Sequence, residues 1–318
     1  MNLLNAMLAR ADYPAAERLT LRMVAILALM LVVCALLLVI DSRTLDNGES
    51  VWLKPMRFCL AFGVHLLTIV WIGHLSSSHD RGDSAYAAGL WLQTVTVIIE
   101  MVCIGLQAAR GVHSHFNYAT PLDRAVFTVM GLGTAATLLG LLLCAWGVWR
   151  SAGVLFVRRV LLSAMILAIL GGLVGVLMVM PTNEQRVLLT AGEKLPWIGG
   201  TAVGMPSGRE VPFFHWDLQS GDWRTAHFVG LHALQALPLL AWLVAGVGAG
   251  RKLNAQRWAF IGACAYVALL LAVLVWTASG RSVLAIAAPG WWMLGAPLGM
   301  FAAALGVLVW SRWCHHVG

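Results

Sequence analysis

The chain has 318 residues, 60% of them hydrophobic and only 11% charged, with 21 basic against 14 acidic residues and a formal net charge of +7. So few charges rule out an ordinary soluble domain, where about a quarter of residues are charged. Several uncharged apolar runs approach the ~20 residues that span a hydrocarbon core, so the excess of basic residues belongs to loops that orient the chain and touch anionic lipid, not to a nucleic-acid surface.

Residues 1–20 carry Arg10 and Arg18 among apolar positions and read as a cytoplasmic interfacial segment. Residues 21–318 read as one transmembrane helix-bundle domain. The first span is about Leu21–Ile40, and it is followed by Asp41-Ser42-Arg43 instead of a small-residue cleavage site. After a short acidic loop comes VWLKPMRF, where Pro55 fits the first turn of a second span that runs to about Leu75. The third span is about Ala85–Gln107. Thr120-Pro121-Leu122-Asp123 has the form of a helix N-cap with proline just inside it, ahead of a fourth span at about Ala125–Trp149. The fifth is about Val160–Met180.

Residues 181–224 form the one long polar segment, of a length that marks a functional loop, a lid or disorder. The remaining spans are about Thr225–Gly248, Trp258–Thr277 and Trp291–Trp310. Arg150, Arg158 and Arg159 lie two spans from Arg251, Lys252 and Arg257, so both groups share a side, which the positive-inside rule makes the cytoplasm. Counting outward from them gives an all-α, polytopic bundle of about eight spans with both termini cytoplasmic and 181–224 periplasmic. Tryptophans recur near the span boundaries, as interfacial belts require.

Polar side chains at membrane depth mark candidate sites, because lipid exposure would be costly. In the third span Gln93, Glu100 and Gln107 recur every seven residues, with Thr96, Cys103 and Arg110 three further on, which places them on one helical stripe. Glu100 is the candidate catalytic carboxyl or proton carrier. The bland alternative is an interhelical seam in which Glu100 stays neutral or pairs with Arg110.

His65 lies about ten residues below the outer end of the second span, with Lys54 and Arg57 at its mouth. In the sixth span His227 and His232 are five apart and point roughly 140° away from each other. They cannot both grip one ion, and His232, one turn from Gln235, is the expected inward member and a second catalytic candidate. Pro238 is expected to kink that helix and free a carbonyl near Leu234. His113 and His115, if extended, would share a face in a spacing compatible with copper or zinc. His215, Asp217 and Asp222 are candidates to cover the same mouth. His74, His79, His315 and His316 fall on the cytoplasmic side with no evident partners.

Two functional classes follow. In the first, the protein binds haem b or a transition metal and acts as an oxidoreductase on a small or lipophilic substrate from the periplasmic side. His65 and His232 would be axial or metal ligands, with His113, His115 and His227 as further metal candidates, and Arg57 and Arg110 would pair with propionates or anions. No CxxCH, ExxH repeat or HExxH is present, and a two-haem wire would need a second histidine layer that only His74 could begin. In the second, Glu100 titrates in a proton-coupled transporter or receptor for a small solute. A third reading is a structural or assembly protein whose polar seam only holds helices together.

The six cysteines are scattered without any CxxC pair and read as small hydrophobes. The strings VWLKPMRFCLAFGVHL, LQAARGVHSHFN and GDWRTAHFVGLHALQALPLL resemble a set found in uncharacterised polytopic proteins of the bacterial inner membrane. The likeness covers residues about 51–245 and implies that location, without implying an activity.

Overall fold

The computed structural model describes residues 14–76, 83–204, 208–211 and 216–316, the last three by backbone alone. Calls on Arg10, His79 and His215, and on the side chains of His315 and His316, therefore lie outside the described residues. The chain is all-α, with eight helices long and apolar enough to cross a membrane. It divides into two compact units, residues 1–152 with 181–199, and residues 153–180 with 200–318.

The first unit contains α1 (Ala15–Ile40), α2 (Leu53–Ser76), α3 (Ser84–Arg110), α4 (Pro121–Arg150) and the short α6 (Asn183–Thr190). The first helix begins at Ala15, behind Pro14, so described residues 15–20, with Arg18, are helical and continuous with the first span. Thr120 caps α4 as its sequence suggested: its hydroxyl accepts from the Asp123 amide at 3.1 Å, and Pro121 opens the helix. The four spans are antiparallel, so their ends at Ala15, Ser76, Ser84 and Arg150 share the inner face under the positive-inside assignment.

Helix α3 packs against α1, α2 and α4 and is the centre of this unit. Its approach to α4 is close because both partners are glycines there. A Cβ on Gly140 would lie 2.9 Å from the Gly89 carbonyl and 2.7 Å from Gln93 Cγ. Small residues are how membrane helices bring their backbones together, since lipid supplies little hydrophobic driving force between them.

The second unit contains α5 (Leu155–Val179), α7 (Trp223–Ala245), α8 (Ala249–Ala278) and α9 (Trp292–His316), with a two-residue hairpin of β1 (Ala202–Val203) and β2 (Gly221–Asp222). Helix α7 packs on α5, α8 and α9. The α5–α7 contact again rests on glycine, since a Cβ on Gly171 would lie 2.6 Å from the Gly230 Cα. Helix α7 continues through Pro238 to Ala245, so the expected interruption is absent as a break in the helix. Much of the span surface is apolar and exposed, as at Leu29, Val102, Leu132 and Val275, the composition a helix turns toward lipid.

The 181–224 segment is ordered over most of its described part. Helix α6 carries a capping box between Thr182 and Gln185, and Gln185 Oε1 also accepts from the Gly199 amide at 2.8 Å. In the same unit the chain then lies against 116–118: Tyr118 donates to the Pro196 carbonyl at 2.8 Å and Ile198 to the Phe116 carbonyl at 3.1 Å.

Candidate functional site: a carboxyl and an aromatic-walled histidine in the first unit

The polar stripe of α3 faces the interior of its unit. Gln93, Thr96, Glu100 and Gln107 are all buried, none more than 5% exposed, while Cys103 is partly buried and Arg110 exposed. Three of the four buried members are tied to neighbouring helices. Gln93 Oε1 accepts from His65 Nε2 at 2.6 Å, Thr96 shares a hydroxyl–hydroxyl bond of 2.9 Å with Thr137, and Gln107 Nε2 donates to Asp123 Oδ1 at 2.9 Å.

Glu100 is the exception. Its Oε1 is buried and, among the described residues, has no hydrogen-bond partner. The atom points at Gly133 of α4, where a Cβ would sit 2.9 Å from it. The positive charge of Lys54, at the outer start of α2, reaches both Glu100 and His115. A pairing with Arg110 does not form. Arg110 binds Asp123 Oδ1 at 2.6 Å and Gln107 Oε1, joining the outer end of α3 to the cap of α4.

The loop after α3 builds the outer wall. His115 lies among Phe58, Phe116 and Phe127, with ring centroids 5.6, 6.3 and 6.1 Å away, and its Nδ1 is 3.0 Å from Ser114 Oγ. Burial, with a smaller contribution from Lys54, holds this imidazole well below its usual range, so it is neutral. Phe116 has φ +61°, the one described non-glycine residue in the left-handed region, which is costly for an aromatic residue and turns its ring toward Phe127 and Trp197. His113 takes another route: its Nε2 meets Asp46 Oδ1 at 2.5 Å, and its ring stands edge-on to Trp197. The expected shared face of His113 and His115 is thus corrected, since alternating carboxylate and aromatic partners draw the two rings to separate surroundings.

Arg57 pairs with Glu49 at 2.8 Å, so its guanidinium closes the acidic loop above α2. His74 was expected to have no evident partner; its Nε2 lies 2.7 Å from Glu17 Oε1 of α1 at the inner end of the unit. Sequence reasoning had no signal for that pairing, nor for the phenylalanine wall, because neither follows from spacing along one helix.

The second unit holds His227 and His232, and here the expected preference reverses. His227 is partly buried, and its Nδ1 donates to the Gly171 carbonyl of α5 at 2.8 Å. His232 is exposed and bonds only along its own helix, to Gln235 Oε1 at 3.1 Å. The close glycine contact of α5 and α7 fixes this rotation, placing His227 on the packed side and His232 on the far one. Asp217 and Asp222 serve the backbone: Asp217 accepts from the Gln219 and Ser220 amides, and Asp222 caps α7 while pairing with Arg224.

Among the described residues, no three His, Cys, Asp or Glu side chains come together to hold a metal ion. The expected ligands His65, His113 and His232 contact Gln93, Asp46 and Gln235, each through one ring nitrogen. No family model, curated protein or solved structure matches the chain.

Proposed function

We propose that the protein is a proton-linked carrier or receptor for a small solute in a bacterial inner membrane, with the Glu100 carboxyl as its proton-bearing group. The observation that carries this reading is the buried Glu100 Oε1 without a hydrogen-bond partner among the described residues. A buried polar atom left unsatisfied costs about 1–3 kcal/mol, so a structural seam would have provided it a donor, as His65 is for Gln93 Oε1 and Arg110 for Gln107 Oε1. A carboxyl in that state answers to whatever enters the space beside it: a proton, a cation or a donor group of a ligand.

Access would come from the outer side, between Lys54 and the wall of Phe58, His115 and Phe127. Neutral His115 and the rings of Phe58, Phe116 and Phe127 offer an apolar, stacking surface, and Lys54 supplies one positive charge. That combination suits a small amphiphilic solute with an anionic or carbonyl head.

The test is infrared difference spectroscopy on purified protein taken from about pH 5 to pH 9, a range that brackets shifted carboxyls. A protonated-carboxyl band that changes with pH and disappears in Glu100→Gln is expected. In proteoliposomes holding a pH-sensitive dye, proton entry driven by a panel of small carboxylates and carbonyl compounds should be lost in the same variant. Spectra and proton entry that are identical in wild type and Glu100→Gln would defeat the reading.

A further inference from the structure

Helix α2 carries Lys54, Phe58, Phe62 and His65 at successive turns, a spacing of four, four and three that puts them on one stripe. The rings of Phe58 and Phe62 meet edge-on with centroids 5.4 Å apart, and Phe58 lies 5.6 Å from His115 at the outer wall. From Phe58 to His65 the stripe descends seven residues, about 10 Å at 1.5 Å per residue. Phe58, Phe62 and His65 are all half-buried.

The polar stripe of α3 keeps the same interval. Glu100 is seven residues outward of Gln93, and Gln93 is the partner of His65. The α4 residues opposite this interval are small: Gly133 stands at Glu100 and Thr137 at Thr96.

Gln93 decides what His65 can offer. The Gln93 Nε2 donates to the Gly89 carbonyl and to Cys144 Sγ, each at 3.4 Å, so its Oε1 is the atom that meets His65 Nε2 at 2.6 Å. An amide oxygen carries no hydrogen, so Nε2 holds the proton of the neutral imidazole and Nδ1 holds the lone pair. Among the described residues that Nδ1 makes no hydrogen bond. We propose that His65 Nδ1 is the specificity-determining acceptor at the inner end of the solute site, and that the solute is a flat aromatic carboxylate with a hydroxyl donor at its far end.

The class follows from the stripe. Lys54 matches the carboxylate, Phe58 and Phe62 offer faces and edges to an aromatic body, and His65 accepts from a hydroxyl two turns deeper. The inference rests on the solute part of the reading above. It concerns recognition by His65, not proton movement by Glu100.

The experiment is calorimetric titration of the full-length protein in lipid nanodiscs with 4-hydroxycinnamate, 4-methoxycinnamate and cinnamate. The three share ring and carboxylate; their far ends donate, accept only, or do neither. Wild type should bind the hydroxy probe about two- to tenfold more tightly than either of the others, the worth of one neutral hydrogen bond. His65→Phe keeps a ring and should bind all three alike, whereas Phe62→Leu should weaken all three and keep the preference. Equal affinities in wild type, a comparison that needs no variant to fold, would overturn the proposal. So would no binding of any probe, or a hydroxyl preference that survives in His65→Phe. A hydroxyl preference lost in His65→Phe, found together with a Glu100 carboxyl band indifferent to pH, would support this inference while defeating the proton part of the reading above.

Discussion

Gly133 of α4 stands directly against Glu100 of α3: a methyl group on that glycine would lie 2.9 Å from the carboxyl Oε1. The absent side chain is what gives the carboxyl its space. Gly133→Ala should therefore cost about 1–3 kcal/mol through overpacking. Adding Glu100→Ala removes the colliding atoms, so a double-mutant cycle in detergent unfolding should show coupling of at least about 0.5 kcal/mol. Strictly additive effects would mean that the two residues do not share this space.

The glycines of the second unit make a sharper contrast. Gly171→Ala and Gly230→Ala each drive a Cβ into the backbone of the other helix and should lower stability by about 1–3 kcal/mol. Gly105→Ala and Gly131→Ala meet nothing within 4 Å and should be neutral or stabilise by up to about 1 kcal/mol, since alanine is the better helix former. Thermal melts of the four variants will check this. Equal losses in all four would show that the tight contact is not the cause.

The pH dependence of stability should carry the mark of His115. Burial, then Lys54, depresses this imidazole below its ordinary value of 6.5. In the unfolded chain it gains a proton as pH falls through that value, whereas in the folded chain it stays neutral, so acid favours unfolding. Stability from this group is complete above about pH 7 and declines as pH drops below 6.5. Melting temperatures from pH 8 to pH 5 should fall in the wild type and fall less in His115→Phe, which keeps the ring wall but cannot titrate. Parallel curves would refute the assignment.

Arg110 is expected to matter for stability and not as a cofactor contact. It neutralises Asp123, which is 2% exposed and also receives Gln107 and the Thr120 hydroxyl. Arg110→Met should cost about 2 kcal/mol, the range of a hydrogen bond to a charged group. Arg110→Met combined with Asp123→Asn should recover part of that loss, because the orphaned charge goes with the second change. Recovery is read by denaturant midpoint. A double variant weaker than Arg110→Met alone would count against the pairing.

Within single helices the sequence was informative. The seven-residue spacing of Gln93, Glu100 and Gln107 located a buried stripe, and the Thr120–Asp123 cap could be read directly, because both depend on residues a few positions apart. The opposed faces of His227 and His232 followed from the helical repeat in the same way. Which of the two faces packs was misjudged, because that depends on the Gly171–Gly230 contact between helices far apart in the sequence. Arg110's choice of Asp123 over Glu100, and the Glu17–His74 pair, depended on partners of the same kind.

By itself the sequence determined that the chain crosses a membrane about eight times and that ionisable groups sit within those crossings. The thickness of a hydrocarbon layer sets the length of a run, and the scarcity of charge reveals it, with no knowledge of neighbours required. Tertiary structure alone decided how each helix is rotated about its axis and what stands opposite each polar atom. Spans that are apolar nearly all round carry little phase information, so glycine contacts between helices help fix the rotation, and with it the burial of Glu100 Oε1 against Gly133 with no hydrogen-bond partner among the described residues.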